Sequence, residues 1–383
     1  MQQGNKMKKV VIAVAGLAII SGATSASGQD AGTFHIGAAA PLSGPQAIFG
    51  QGLTNGMQLY FDQLNAAGGL PGGHKVELVK ADDRADPREG VLVAQKFCDD
   101  EQMIGVLAHF NSGVTIPSLD VYGGCSMPQV TVSSNPQVTQ LGFGHVFRAA
   151  NDDYAQAQLS ASYAIETLKE KRAAIIQDKQ AFGEGVAKIF EDKFKALGGE
   201  VTSVSGVNST DVDFGPVITS LKAENPDMVY VGAVMPQLAL IVRQMREQGI
   251  KASYFVPDGG FTPDLFAQAG KDNAEGTLIT FQVPPYDSKP ELVAFAKAYR
   301  EKFGKEPDTY DAYGYLAAWI VGETLKGMSK ADVNRENLIK ALHATNLKNS
   351  LLGIDVSFTE HGDLKGGLAF LYKATDGQFK LVK

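Results

Sequence analysis

Familiar catalytic and cofactor motifs are scarce in this 383-residue chain. No G-x-x-x-x-G-K-[ST] stretch occurs, which removes a P-loop. No G-x-S-x-G elbow occurs either, so a hydrolase nucleophile of that type is excluded. Gly183 and Gly185 begin a dinucleotide fingerprint, but Lys188 stands where its third glycine belongs. The six histidines are scattered, with no H-x-x-x-H pair to hold a metal. Only His109, at a strand end, faces a cleft, and it lacks a partner for acid–base work. Only two cysteines are present, Cys98 and Cys125, and their spacing fits no metal site. Basic clusters interleaved with aromatics are missing, and the formal net charge is −7, which argues against nucleic-acid or anionic-membrane partners.

What is present is a large apolar fraction, 44%, enough for substantial cores, and a length that suits two domains of ordinary size. The first residues read differently from the rest. Lys6, Lys8 and Lys9 precede VVIAVAGLAII, which is followed by the small residues SGATSASG. A basic start, a short apolar core and a small-residue tract form a secretory signal peptide, here residues 1–28. Its removal would make the remaining chain more acidic by three charges. Export would bring Cys98 and Cys125 into an oxidising compartment, where a disulfide and two buried thiols are the alternatives.

From Phe34 onward short apolar runs alternate with amphipathic stretches. FHIGAAA, KVELVKAD, MIGVLAH and PQVTV read as strands separated by helices, one of them opened by Pro87. After FRAAN the rhythm restarts with RAAIIQD, EVTSVSG, DMVYVGA, SYFVPDG and GTLITFQ. Such repeated βα units predict an α/β fold of two Rossmann-like lobes with parallel sheets. Two long helical stretches and three late β-like runs, IDVSFTE, GGLAFLYKA and GQFKLVK, imply a chain that crosses between lobes more than once. No long linker separates the halves, so a cleft between hinged lobes is expected.

Polar and small residues collect at strand ends. AHFNSGVT, Ala108 to Thr115, puts Asn111, Ser112 and Gly113 between a strand and a helix, and VTVSSNP nearly repeats it with Ser133 and Asn135. A cap and turn explain these residues as well as an anion site at a helix N-terminus does. In open α/β sheets ligands bind beyond the carboxyl ends of strands. By that rule Ser43 and Phe49 after the first strand, Phe182 in DKQAFGEG and Asp258 in VPDGG also face the cleft. Asp258 reads either as a turn residue or as the partner of an ammonium group.

PLSGP, NAAGGLPG, ADDRADP, DKQAFGEG and VPDGG, in this order and spacing, resemble the periplasmic branched-chain amino acid-binding proteins of ABC transporters, the Leu/Ile/Val-binding type. The resemblance spans essentially the whole chain beyond the signal peptide. It implies a type I periplasmic binding-protein fold with three hinge crossovers, a first lobe of 29–149 plus 282–353 and a second of 150–281 plus 354–383. It also implies a non-catalytic, monomeric periplasmic protein that needs no cofactor, closes on an amino acid and hands it to a membrane permease. Ser112, Ser133 and Asn135 then match the carboxylate site, Asp258 the ammonium site, and Phe49, Phe182, Val234 and Tyr310 the surrounding wall. Phe49, Phe182 and Val234 stand where family members carry tyrosine, and Asp258 where many carry glutamate. The family's usual cysteine positions are taken by Arg84 and Asn111. These departures leave other amino acids, amides or small carboxylates open as ligands. A sensor working by the same closure is the runner-up, and an exported enzyme a distant third.

Overall fold

The computed structural model describes residues 32–382 together with Met1. The expected signal peptide therefore lies, Met1 aside, outside the described residues. The first lobe is built from β1 (Thr33–Ala40), α1 (Ala47–Ala66), β2 (Lys75–Asp82), α2 (Pro87–Asp99), β3 (Met103–Ala108), α3 (Ser112–Gly124), β4 (Gln129–Thr131), α4 (Gln137–Gln140) and β5 (Val146–Arg148). Its five strands pair in parallel in the order β2-β1-β3-β4-β5. All six residues of MIGVLA in β3 are buried, as a strand covered by helices on both faces requires. Pro87 opens α2, and the Asp86 side chain caps it by accepting the N–H groups of Arg88 and Glu89.

The second lobe follows with α5 (Asp153–Ser162), β6 (Arg172–Gln177), α6 (Ala181–Ala196), β7 (Glu200–Gly206), α7 (Gly215–Glu224), β8 (Met228–Gly232), α8 (Gln237–Glu247), β9 (Ser253–Val256), α9 (Asp264–Ala269), α10 (Lys271–Ala274) and β10 (Leu278–Phe281). The chain then returns to the first lobe with α11 (Pro290–Phe303), α12 (Asp311–Lys326) and α13 (Arg335–His343), and with the short pair β11 (Asn346–Leu347) and β12 (Val356–Ser357). It ends in the hairpin β13 (Phe370–Thr375) and β14 (Gln378–Leu381), which adds to the second sheet antiparallel to β10. That sheet runs β14-β13-β10-β9-β8-β6-β7, so its parallel part carries an antiparallel edge. Among the described residues no helix is long and apolar enough to cross a membrane.

Three segments join the lobes, and Asn151 ties them together. Its backbone N–H donates to Gln282 Oε1 at 2.6 Å in the second crossover, and its amide donates to the Leu368 carbonyl in the third. The third crossover comes late. Arg148 N–H donates to the Gly362 carbonyl, Arg148 Nε pairs with Asp363 at 2.9 Å, and the Phe358 ring lies 5.1 Å from Phe147. Residues up to Asp363 thus pack on the first lobe, and we place the last boundary after it rather than at 353/354. Cys98 and Cys125 form a disulfide, their Cα atoms 5.8 Å apart, joining the end of α2 to the residue after α3.

Helices α1 and α12 meet through glycines. A Cβ on Gly314 would lie 1.9 Å from the Leu53 carbonyl oxygen, and one on Gly56 would lie 1.9 Å from that of Asp311. This close approach brings the start of α1, with Phe49, against Tyr310 at the start of α12.

Candidate functional site

Strand ends from both lobes converge on one narrow cavity, at the edge where open α/β sheets take their ligands. From the first lobe come Phe110, Asn111 and Ser112 after β3, Val132 and Ser134 after β4, and Tyr310 before α12. From the second come Phe182 at the start of α6, Val234 after β8, and Asp258 and Gly259 after β9. The lobes are closed upon it.

The first-lobe wall is organised by a buried carbonyl. His109 O accepts Thr131 Oγ1 at 2.9 Å and Ser133 Oγ at 3.0 Å. The His109 ring faces away from the cavity, with Nδ1 held 2.8 Å from Asp83 among fully buried atoms. The turn after β4 is fixed by Arg148, one of the largest fully buried side chains, whose Nη1 donates to the carbonyls of Ser133 and Asn135 at 2.7 and 2.9 Å. Ser134 borders the cavity beside the Asp153 carboxyl. Ser112 begins α3, so its N–H and that of Gly113 have no carbonyl one turn earlier, and they suit an anion. Ser112 Oγ accepts the Asn135 N–H at 3.2 Å and keeps its proton free for a ligand.

Of the eight residues anticipated, Ser112, Phe182, Val234, Asp258 and Tyr310 line the cavity. Three do not. Phe49 sits one layer back, its ring 5.3 Å from both Phe110 and Tyr310, where it braces the wall. Ser133 turns its hydroxyl to the carbonyls of His109 and Phe110 and to Thr115 Oγ1, so it serves the turn. Asn135 reaches across the cleft: its Nδ2 donates to the Ala181 carbonyl of α6 at 2.6 Å. Phe110, Val132, Ser134 and Gly259 were not anticipated. A serine doublet at a strand end carried the signal for Ser134, but which serine faces in depends on how Arg148 holds the turn.

The Asn135 bond joins the lobes, and Gly185 gives it room, since a Cβ there would meet Nδ2 at 2.5 Å. Asn135→Ala and Gly185→Ala should each weaken ligand binding several-fold, about 1 kcal/mol, by favouring the open form. Small-angle scattering of the variants with ligand should show a larger open fraction. Unchanged affinity in both would show that this bond does not contribute to closure.

Charge in the cavity is one-sided. Asp258 is buried, its N–H donating to Gln156 Oε1 at 3.1 Å, and burial raises its carboxyl to about 6 against the pull of Gln156 and the Tyr310 hydroxyl. Gln156 Nε2 donates to Asp153 Oδ1 at 2.9 Å, so one amide links the Asp153 carboxyl to the backbone of Asp258. Burial and then the neighbouring Asp258 raise Asp153 to about 7, and its Oδ2 has no hydrogen-bond partner. Among the described residues no Lys, Arg or His borders the cavity. Among the described residues no group of three His, Cys, Asp or Glu side chains could hold a metal ion.

These acids give opposite pH slopes to stability and binding. Their folded values lie above the ordinary carboxyl range, so the folded state binds more protons than the unfolded chain between about pH 4 and 7. Ligand-free protein should gain stability as pH falls from 8 to 5, and Asp178 and Asp311, each raised to about 6 by burial, add to the trend. A ligand that brings an ammonium group needs ionised carboxylates, so its affinity should fall roughly tenfold over the same range. Thermal melts and titrations at pH 5 and 8 check both signs, and slopes of equal sign would contradict the assignment.

A cleft that closes two α/β lobes over a small cavity, with polar groups at strand ends, defines a solute-binding protein. The model of the periplasmic binding protein family matches residues 33–378, and the chain belongs to that family. It is 33% identical over 354 residues to a Leu/Ile/Val-binding protein homolog of Brucella abortus, covering 91% of this chain and 93% of that one. Among solved structures it is similar to a leucine-binding protein from Thermotoga maritima, with a TM-score of 0.84, 28% identity, and 91% and 98% of the two chains covered. It also shares its fold with a solute-binding protein from R. palustris in complex with benzoate, at a TM-score of 0.81 and 21% identity over 91% and 95% of the chains. The family is one of binding proteins, and the architecture is the type I fold of two lobes closing on a small organic ligand.

Proposed function

We propose that this protein is the periplasmic, monomeric solute-binding component of an ABC importer, capturing an α-amino acid and presenting its closed form to a membrane permease. Branched-chain aliphatic amino acids are the default ligands. The observation that carries this reading is the one-sided charge of the cavity: Asp258, backed by Asp153, at one end, and neutral donors alone at the other. An α-ammonium satisfies the acids. The ligand's carboxylate suits the N–H groups at the start of α3 and the hydroxyl of Ser112. Phe110, Val132, Phe182 and Val234 leave an apolar space for the side chain. The relatives named for leucine, isoleucine and valine support the same choice.

A simple carboxylate such as benzoate fits less well. It would bring an anion near buried acids without a cation between them, and like charges in a poorly solvated site repel. Protein purified without refolding and then denatured should release an amino acid detectable by mass spectrometry. Recovery of an aromatic carboxylate in equimolar amount would replace this reading.

A further inference from the structure

Asn111, Ser112, Phe182 and Val234 wall the cavity and also border a second, outer chamber, whose lining includes the exposed Pro87 and Gln180. The two spaces differ in chemistry. Rings and valines dominate the inner one, whereas side-chain amides and a serine, Gln46, Gln180, Gln237 and Ser209, gather around the outer one. These groups hold one another in place. Gln46 Oε1 accepts from Asn111 Nδ2 at 2.8 Å, Gln180 Nε2 donates to Ser209 Oγ at 3.5 Å, and Gln237 Nε2 donates to the Ser209 carbonyl.

With its Nδ2 committed to Gln46, Asn111 is left with a buried Oδ1 that has no donor. Leaving such an acceptor unpaired is unfavourable, and a donor on a ligand removes that cost. Val234 and Phe182 stand between the two chambers, bordering both, and Val234 presents only a short side chain there. Asp178 also borders the outer chamber, its Oδ1 accepting the Gln180 N–H at 3.0 Å, and its acidity disfavours an acidic tail there.

We propose that the outer chamber is a second subsite, which takes the tail of an amino acid longer than leucine ending in a neutral donor, a carboxamide or ureido group. The amino-acid head occupies the inner cavity, and the tail's N–H donates to Asn111 Oδ1. This rests on the amino-acid reading above. Leucine, isoleucine and valine use the inner cavity alone.

Titration with glutamine, citrulline, norleucine and leucine tests it. Norleucine has comparable reach but no donor. In the wild-type protein glutamine or citrulline should bind about tenfold tighter than norleucine. Gln46→Leu, which releases the Asn111 amide to turn, should cut that ratio at least several-fold while leucine stays within about twofold. Val234→Tyr, which puts a ring between the chambers, should lower the same ratio by a separate route. Amide-tailed ligands no tighter than norleucine in the wild-type protein, or a Gln46→Leu effect equal for all four ligands, would overturn the subsite. If no amino acid binds, leucine included, the underlying amino-acid reading falls, and the subsite with it.

Discussion

Asp258→Ala should weaken binding of an α-amino acid by about tenfold or more, because it removes the ionised partner of the ammonium group. The side chain is buried beside Tyr310 and Gln156, so water does not readily replace it. Asp258→Asn, similar in shape, should lose nearly as much if charge is the cause. The deaminated analogue of the ligand separates the effects further: in the alanine variant it should bind at least as well as to the wild-type protein. Ser112→Ala should cost less, about 1 kcal/mol, since the N–H donors of α3 remain. Wild-type affinity in Asp258→Ala would show that the ammonium site is elsewhere in the cleft.

Gly314→Ala should destabilise the fold by about 1–3 kcal/mol and loosen the cavity wall with it. Its Cβ would meet the Leu53 carbonyl at 1.9 Å, and a backbone atom of a packed helix cannot step aside alone. Helices α1 and α12 must therefore separate. Their first turns bring Phe49 and Tyr310 together, so the ring contact that braces the cavity opens as well. Denaturant melts should show the loss in the ligand-free protein, and titration should show weaker binding at temperatures where the variant is still folded. Full stability in Gly314→Ala would mean that the helices are less closely seated than described.

Much of the architecture could be read from pattern. β3 and β8 are short runs free of charged residues and buried throughout, and each was identifiable as a strand without its neighbours. The cavity lies at strand ends because parallel sheets leave their carboxyl edges open, and on that ground Ser112, Phe182 and Asp258 could be singled out. Whether a residue faces the cavity or stands behind it could not be read. Ser133 and Ser134 are adjacent and chemically alike, and only the carbonyls of His109 and Phe110 and the reach of Arg148 across the turn separate them. Asn135 looked like a ligand group because its bond to Ala181 exists only when the lobes meet. Asp153 gave no local signal at all, since its closeness to Asp258 is made by Gln156 across 102 residues of chain. The bonds of Arg148 to Gly362 and Asp363, which hold the start of the third crossover on the first lobe, are likewise long-range and leave no local signal.

The most direct test of the central claim is calorimetric titration of unfolded and refolded, ligand-free protein against all twenty amino acids, with benzoate and short-chain carboxylates alongside. Tight one-to-one binding confined to compounds that carry an α-ammonium is the predicted result. Tight binding of a carboxylate that lacks an ammonium, with silence for every amino acid, would contradict the account.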